Sequence, residues 1–117
     1  MNASPRLLAS ASRLLANRAI TIASSDKFGR CYCADQAREA YNVIQAGEAS
    51  SPERDALASV ARLARLAFYH LIAISSLEAR EGERLARSPR LLADLAFHAS
   101  EARAWGEALA VAAARLA

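Results

Sequence analysis

The chain has 117 residues, 54% of them hydrophobic, with a formal net charge of +3 and a pI of about 9.3. That length suits one domain with its own core and no need of metals or disulfides. Gly and Pro are few, which argues against a largely disordered chain, and the basic balance is too slight to name nucleic acid as partner.

Ser4-Pro5-Arg6 is a helix-start signal: Ser accepts from a free backbone N–H, and Pro fits the first helical position. Leu7, Leu8, Ala11, Leu14 and Leu15 follow at helical spacing, with Ser10, Ser12, Arg13 and Asn17 facing away. Asn17 is a suitable helix end, so the first helix is expected over 5–17. This opening stretch is amphipathic and poor in acid, as a mitochondrial presequence is. Arg13 and Arg18 cut the apolar run that a secretory signal would need, and the reading is a mature cytoplasmic protein.

Residues 19–33 change character. Ile20-Thr21-Ile22 and Arg30-Cys31-Tyr32-Cys33 flank a turn-like Ser24-Ser25-Asp26-Lys27-Phe28-Gly29. β-branched and aromatic runs around such a turn predict a short β-hairpin. The alternative continues the first helix through Ser24 with Ile22 on its apolar stripe. Cys31 and Cys33 are poorly placed to bridge each other and read as reduced thiols.

A second helix is expected over 35–46, burying Ala37, Ala40, Tyr41 and Ile44 and wetting Gln36, Arg38, Glu39, Asn42 and Gln45, with Gly47 as its terminator. Ser51-Pro52-Glu53 then starts a long helix over 52–80. Its stripe is Leu57, Val60, Ala64, Ala67, Phe68, Leu71 and Ile74. The run Leu66–Ile74 is apolar almost all round, so other helices should wrap it. Arg62, Arg65 and His70 interrupt the longer apolar stretch that a membrane span would need, which argues against one. Glu78, Arg80, Glu81, Glu83 and Arg84 form a charge cluster expected at the surface, where Gly82 weakens the helix.

Ser88-Pro89-Arg90 starts a last helix over 89–116. It repeats the hexapeptide Ser4–Ala9, which reads as the same start signal more readily than as a duplication. The seam Ala99, Ala102, Gly106, Ala110, Ala113 is made of small residues. About a quarter of the chain is Ala, so the core is thin, and the small seam together with the thin core predicts a homodimer. The fold class is therefore mainly α, a four-helix bundle-like single domain with a short hairpin after the first helix as one reading of 19–33.

Chemistry is sparse. His70 and His98, with Cys31 and Cys33, would make a ligand set zinc accepts, but neither His has a partner at metal spacing on its own helix. The expectation is no cofactor and no metal. Arg65-x-x-x-x-His70 is similar to the Arg–His spacing of HEPN ribonucleases, which are also small helical bundles. The resemblance covers those two positions, and Leu66 stands where that family usually has a polar residue. A five-residue step also turns the two side chains well apart on a regular helix. No nucleophile triad and no Gly-rich phosphate loop can be assembled.

The remaining hint is basic and aromatic. Arg6, Arg13, Arg18, Lys27 and Arg30, with the aromatics Phe28 and Tyr32 beside them, suit a face for an acidic partner or phosphates. Phe28 would be the anchor and the cations would steer. The reading is a small non-enzymatic interaction protein, a regulator or inhibitor of bacterial or phage origin, that occupies a partner's surface. The alternative is a nucleic-acid-binding regulator; a metal-dependent or HEPN-like ribonuclease comes third.

Overall fold

Two of the three Ser-Pro signals, Ser4-Pro5 and Ser88-Pro89, start helices in the computed structural model, which describes residues 4–23, 27–50 and 55–116; the side chains of 27–33 lie outside that description. Ser4 Oγ accepts from the Leu7 amide at 3.1 Å and Ser88 Oγ from the Leu91 amide at 3.2 Å, with Pro5 and Pro89 just inside each helix. The elements are α1 (Pro5–Ile22), α2 (Lys27–Ser50), α3 (Asp55–Glu81), a 3₁₀ segment (Gly82–Arg87) and α4 (Pro89–Ala113). The Ser51-Pro52-Glu53 signal lies outside the described residues.

No strand occurs among the described residues, so the hairpin over 19–33 is not formed. Helix α1 runs past Asn17 to Ile22, and Ile22 is fully buried. Ile20 and Ile22 extend the apolar stripe, and the burial of Ile22 outweighs the preference of such residues for strands. Helix α2 starts at Lys27, well before the expected residue 35. It also continues through Gly47 to Ser50.

Gly47 is a contact point with α1. A Cβ there would collide with the Leu8 side chain, which is 1% exposed. Gly106 does the same for α4. A Cβ on it would lie 3.0 Å from the Ala16 carbonyl oxygen, 3.0 Å from Ile20 Cγ1 and 3.2 Å from Ala19 Cβ. The small seam of α4 thus lets it approach α1 of its own chain, with Ala102, Gly106 and Ala113 buried there. Gly106 of the small seam is used for a contact within the chain's own fold.

Helix α3 lies against α1, α2 and α4. Leu57, Val60, Leu71 and Ile74 are fully buried, each stabilising the fold by about 1.5–3 kcal/mol relative to exposure. Phe68 is only partly buried, because its ring reaches the edge between α2 and α3. By length and composition this helix could cross a membrane, and here its apolar stripe is covered by the three others. It stops at Gly82, whose φ of +51° is the left-handed turn glycine adopts at low cost. The 3₁₀ segment touches α3 and α4. Glu78, expected at the surface, is 6% exposed, in the last turn of α3. Ser12, expected to face away on α1, is also buried, and its hydroxyl donates to the Leu8 carbonyl at 2.7 Å.

Candidate functional site

The long apolar run of α3 is wider than its neighbours can cover. Between α2 and α3 lies an open groove of about 540 Å³. Tyr41 of α2 and Phe68 of α3 form its floor, stacked at 4.4 Å between ring centroids and 13° between planes. Ile72 and Tyr69 continue the floor along α3, and Tyr69 is 62% exposed.

Two cations border this apolar surface. The Arg38 guanidinium carbon sits 5.5 Å from the centre of the Phe68 ring, within cation–π range. Arg65 lies at the other edge, its guanidinium 3.5 Å from a Glu48 carboxylate oxygen and donating to Gln45 Oε1 at 3.5 Å. Both are long contacts of an exposed side chain, worth little in water. Gln45 contributes a further cost: its buried Nε2 has no hydrogen-bond acceptor among the described residues. An aromatic floor between two guanidinium groups can take an apolar side chain and hold a carboxylate at either edge.

The residues singled out from sequence fall elsewhere. Arg13 is exposed on α1 and shares a shallow hollow with Arg6, Pro5 and Ala9. Arg18 is tied down, its Nε donating to Gln36 Oε1 across α1 and α2. Lys27, Phe28, Arg30 and Tyr32 lie on the opening turns of α2, and their side chains are outside the described residues. Residue 28 is helical and does not form the turn tip its neighbours suggested. Cys31 and Cys33 are likewise outside the description.

His70 and His98 do meet, across the seam between α3 and α4. No group of three or more His, Cys, Asp or Glu side chains among the described residues could hold a metal ion. The HEPN-like pair separates: Arg65 turns to Glu48 on α2 and His70 to His98 on α4.

Sequence reasoning placed Arg38 on a wet face and Tyr41 and Phe68 on buried faces, so it passed over the groove. The available signal was the width of the apolar run in α3, which exceeds one stripe. Comparison with protein-family models, with curated proteins and with solved structures finds no match.

Proposed function

We propose that this protein is a small non-enzymatic interaction module that binds an acidic, amphipathic segment of a protein partner in the groove between α2 and α3. The observation that carries this reading is the juxtaposition of an aromatic floor with two guanidinium borders, Arg38 and Arg65, on one open face. Interface anchors are enriched in aromatics and Arg. An apolar side chain of the partner would cover Tyr69 and Ile72. Its carboxylates would exchange with Glu48 for Arg65 and approach Arg38 from solvent. The net charge of +3 favours encounter with an acidic surface.

Nucleic acid is the weaker fit. Nucleic-acid binders carry a denser basic patch than the two guanidinium groups, Arg38 and Arg65, that border this groove. A regulator or inhibitor that works by occupying its target needs no more chemistry than this groove has.

The test is fluorescence anisotropy with a labelled helical peptide of alternating Glu and Leu/Phe faces, beside the same peptide with Gln for Glu. Wild type should bind the acidic peptide at least tenfold more tightly than the Gln peptide. The Arg38→Glu, Arg65→Glu double variant should lose that preference, and Tyr69→Ala should weaken both peptides. Equal binding of the two peptides, or no effect of the charge reversals, contradicts the reading. Tight binding of single-stranded DNA with a steep salt dependence would transfer it to nucleic acid. Self-association abolished by Tyr69→Ala would make a second copy the occupant.

A further inference from the structure

His70 and His98 are the chain's two histidines, and they form one unit. His70 is 7% exposed, on the face of α3 turned to α4. Its Nδ1 lies 2.9 Å from Nδ1 of His98. A distance that short between two imidazole nitrogens requires one to donate and the other to accept, so one proton sits between them. Glu101 Oε1 is 3.9 Å from His70 Nε2. An Nε2–H turned toward that carboxylate leaves His70 Nδ1 as the acceptor and makes His98 Nδ1–H the donor. Tyr69 and Phe97 flank the pair edge-on. Tyr69 lies 4.9 Å from the His70 ring and 6.1 Å from the His98 ring, and Phe97 lies at 5.8 and 5.2 Å. These two aromatics are 62% and 56% exposed, so the pair lies just beneath the surface, behind two rings that solvent reaches. Two imidazoles without a third protein ligand among the described residues make a poor metal site and a good proton site.

We infer that the His70–His98 pair is a proton-sensitive latch on the α3–α4 seam, closed by the Nδ1–H···Nδ1 bond and opened when both rings become cations. A first proton can go to an outer nitrogen and leave the inner bond intact, even strengthening it. The second proton must go to the accepting Nδ1. Both inner nitrogens are then donors, the bond is lost, and two positive charges face each other at hydrogen-bond distance between two packed helices.

Burial holds the His70 affinity for a proton below the usual imidazole range; the charge of His98 pushes the same way, and Glu101 opposes them. Among the described residues these charges both come from α4. The sign of the pH effect follows. The unfolded chain protonates His70 near pH ~6.5, before the folded chain does. The latch therefore stabilises the fold fully above that pH, and the stabilisation is lost as pH falls through the depressed folded value. Opening would free Tyr69 and Phe97 from the rings they pack on. Tyr69 also lines the groove between α2 and α3, so acid would reach the groove. That last consequence rests on the proposed function; the latch itself does not.

The experiment is urea unfolding of the full chain between about pH 8 and pH 5, wild type against His98→Gln and His70→Gln, with imidazole NMR on the wild type. The unfolding equilibrium constant of wild type should rise several-fold more over this range than that of His70→Gln, with His98→Gln, which keeps a buried His70, falling between the two. In the NMR titration, His70 should take up its proton below the usual range, and both rings should report the change. If either variant fails to fold, the wild-type NMR decides alone. Independent titration of the two rings, with no response of one to the other, overturns the latch. So does an acid sensitivity that both Gln variants keep. Peptide binding that is absent at every pH while the latch titrates as described would remove the groove reading and leave the latch standing.

Discussion

Gly47 and Gly106 sit in helix interiors, where replacement by Ala would ordinarily gain about 1 kcal/mol of helix propensity. Both should lose stability instead, for different reasons. At Gly106 the obstacles are a backbone carbonyl and the Cβ of Ala19, which no rotamer change can move. Overpacking of about 1–3 kcal/mol then outweighs the propensity gain. At Gly47 every obstacle belongs to one side chain, Leu8. Urea unfolding should find Gly106→Ala less stable than wild type. Gly47→Ala combined with Leu8→Ala should lose less than the sum of the two single losses, because the methyl group added on α2 fills space that the leucine side chain vacates. Strict additivity would show that α1 and α2 do not meet at this notch. The same residues mark a limit of sequence reading. Gly after an apolar run reads as a helix end, and at Gly82 it is one, with positive φ. At Gly47 the deciding fact is a leucine on another helix, far away in sequence.

Among the elements, α1 and α4 are the most legible at their starts, because Ser-Pro acts within one turn and needs no tertiary partner. Helix ends are less so. Asn17 is compatible with a stop, yet α1 continues to a buried Ile22. Residues 27–33 combine aromatic, Cys and Gly residues that favour a strand or turn, and the backbone there is helical; local propensity is a weak prior against a long amphipathic helix on a core. The end of α3 offers a direct test. A Cβ on Gly82 would meet nothing within 4 Å, so the cost of substitution is conformational alone. Gly82→Ala should destabilise by about 1–2 kcal/mol, and Gly82→Asn by clearly less, since Asn tolerates the left-handed region. Thermal unfolding of both variants measures this, and equal losses would mean that the helix end is held by something other than its backbone geometry.

Over the whole molecule, the four helices form a body of 47 × 21 × 18 Å, long because α3 alone spans roughly 40 Å at about 1.5 Å per residue. That helix serves two purposes. Its buried stripe holds the other three together, and its edge at Phe68, Tyr69 and Ile72 supplies one wall of the groove. The stripe was readable from periodicity; the groove was not, because Tyr41 and Phe68 stack only once the register between α2 and α3 is fixed. The His70–His98 contact depends in the same way on the register between α3 and α4. Helix α4 is unequal along its length: its first turns are largely exposed, with Leu92 at 44% and Phe97 at 56%, while Ala102, Leu109 and Ala113 are fully buried. Native-state hydrogen exchange reads this hierarchy directly. The amides of α3 between Val60 and Ile74 should exchange only through global unfolding, while those over residues 92–97 of α4 exchange through local opening at lower free energy. Exchange of the middle of α3 as fast as the start of α4 would contradict the claim that α3 is the core on which the groove is built.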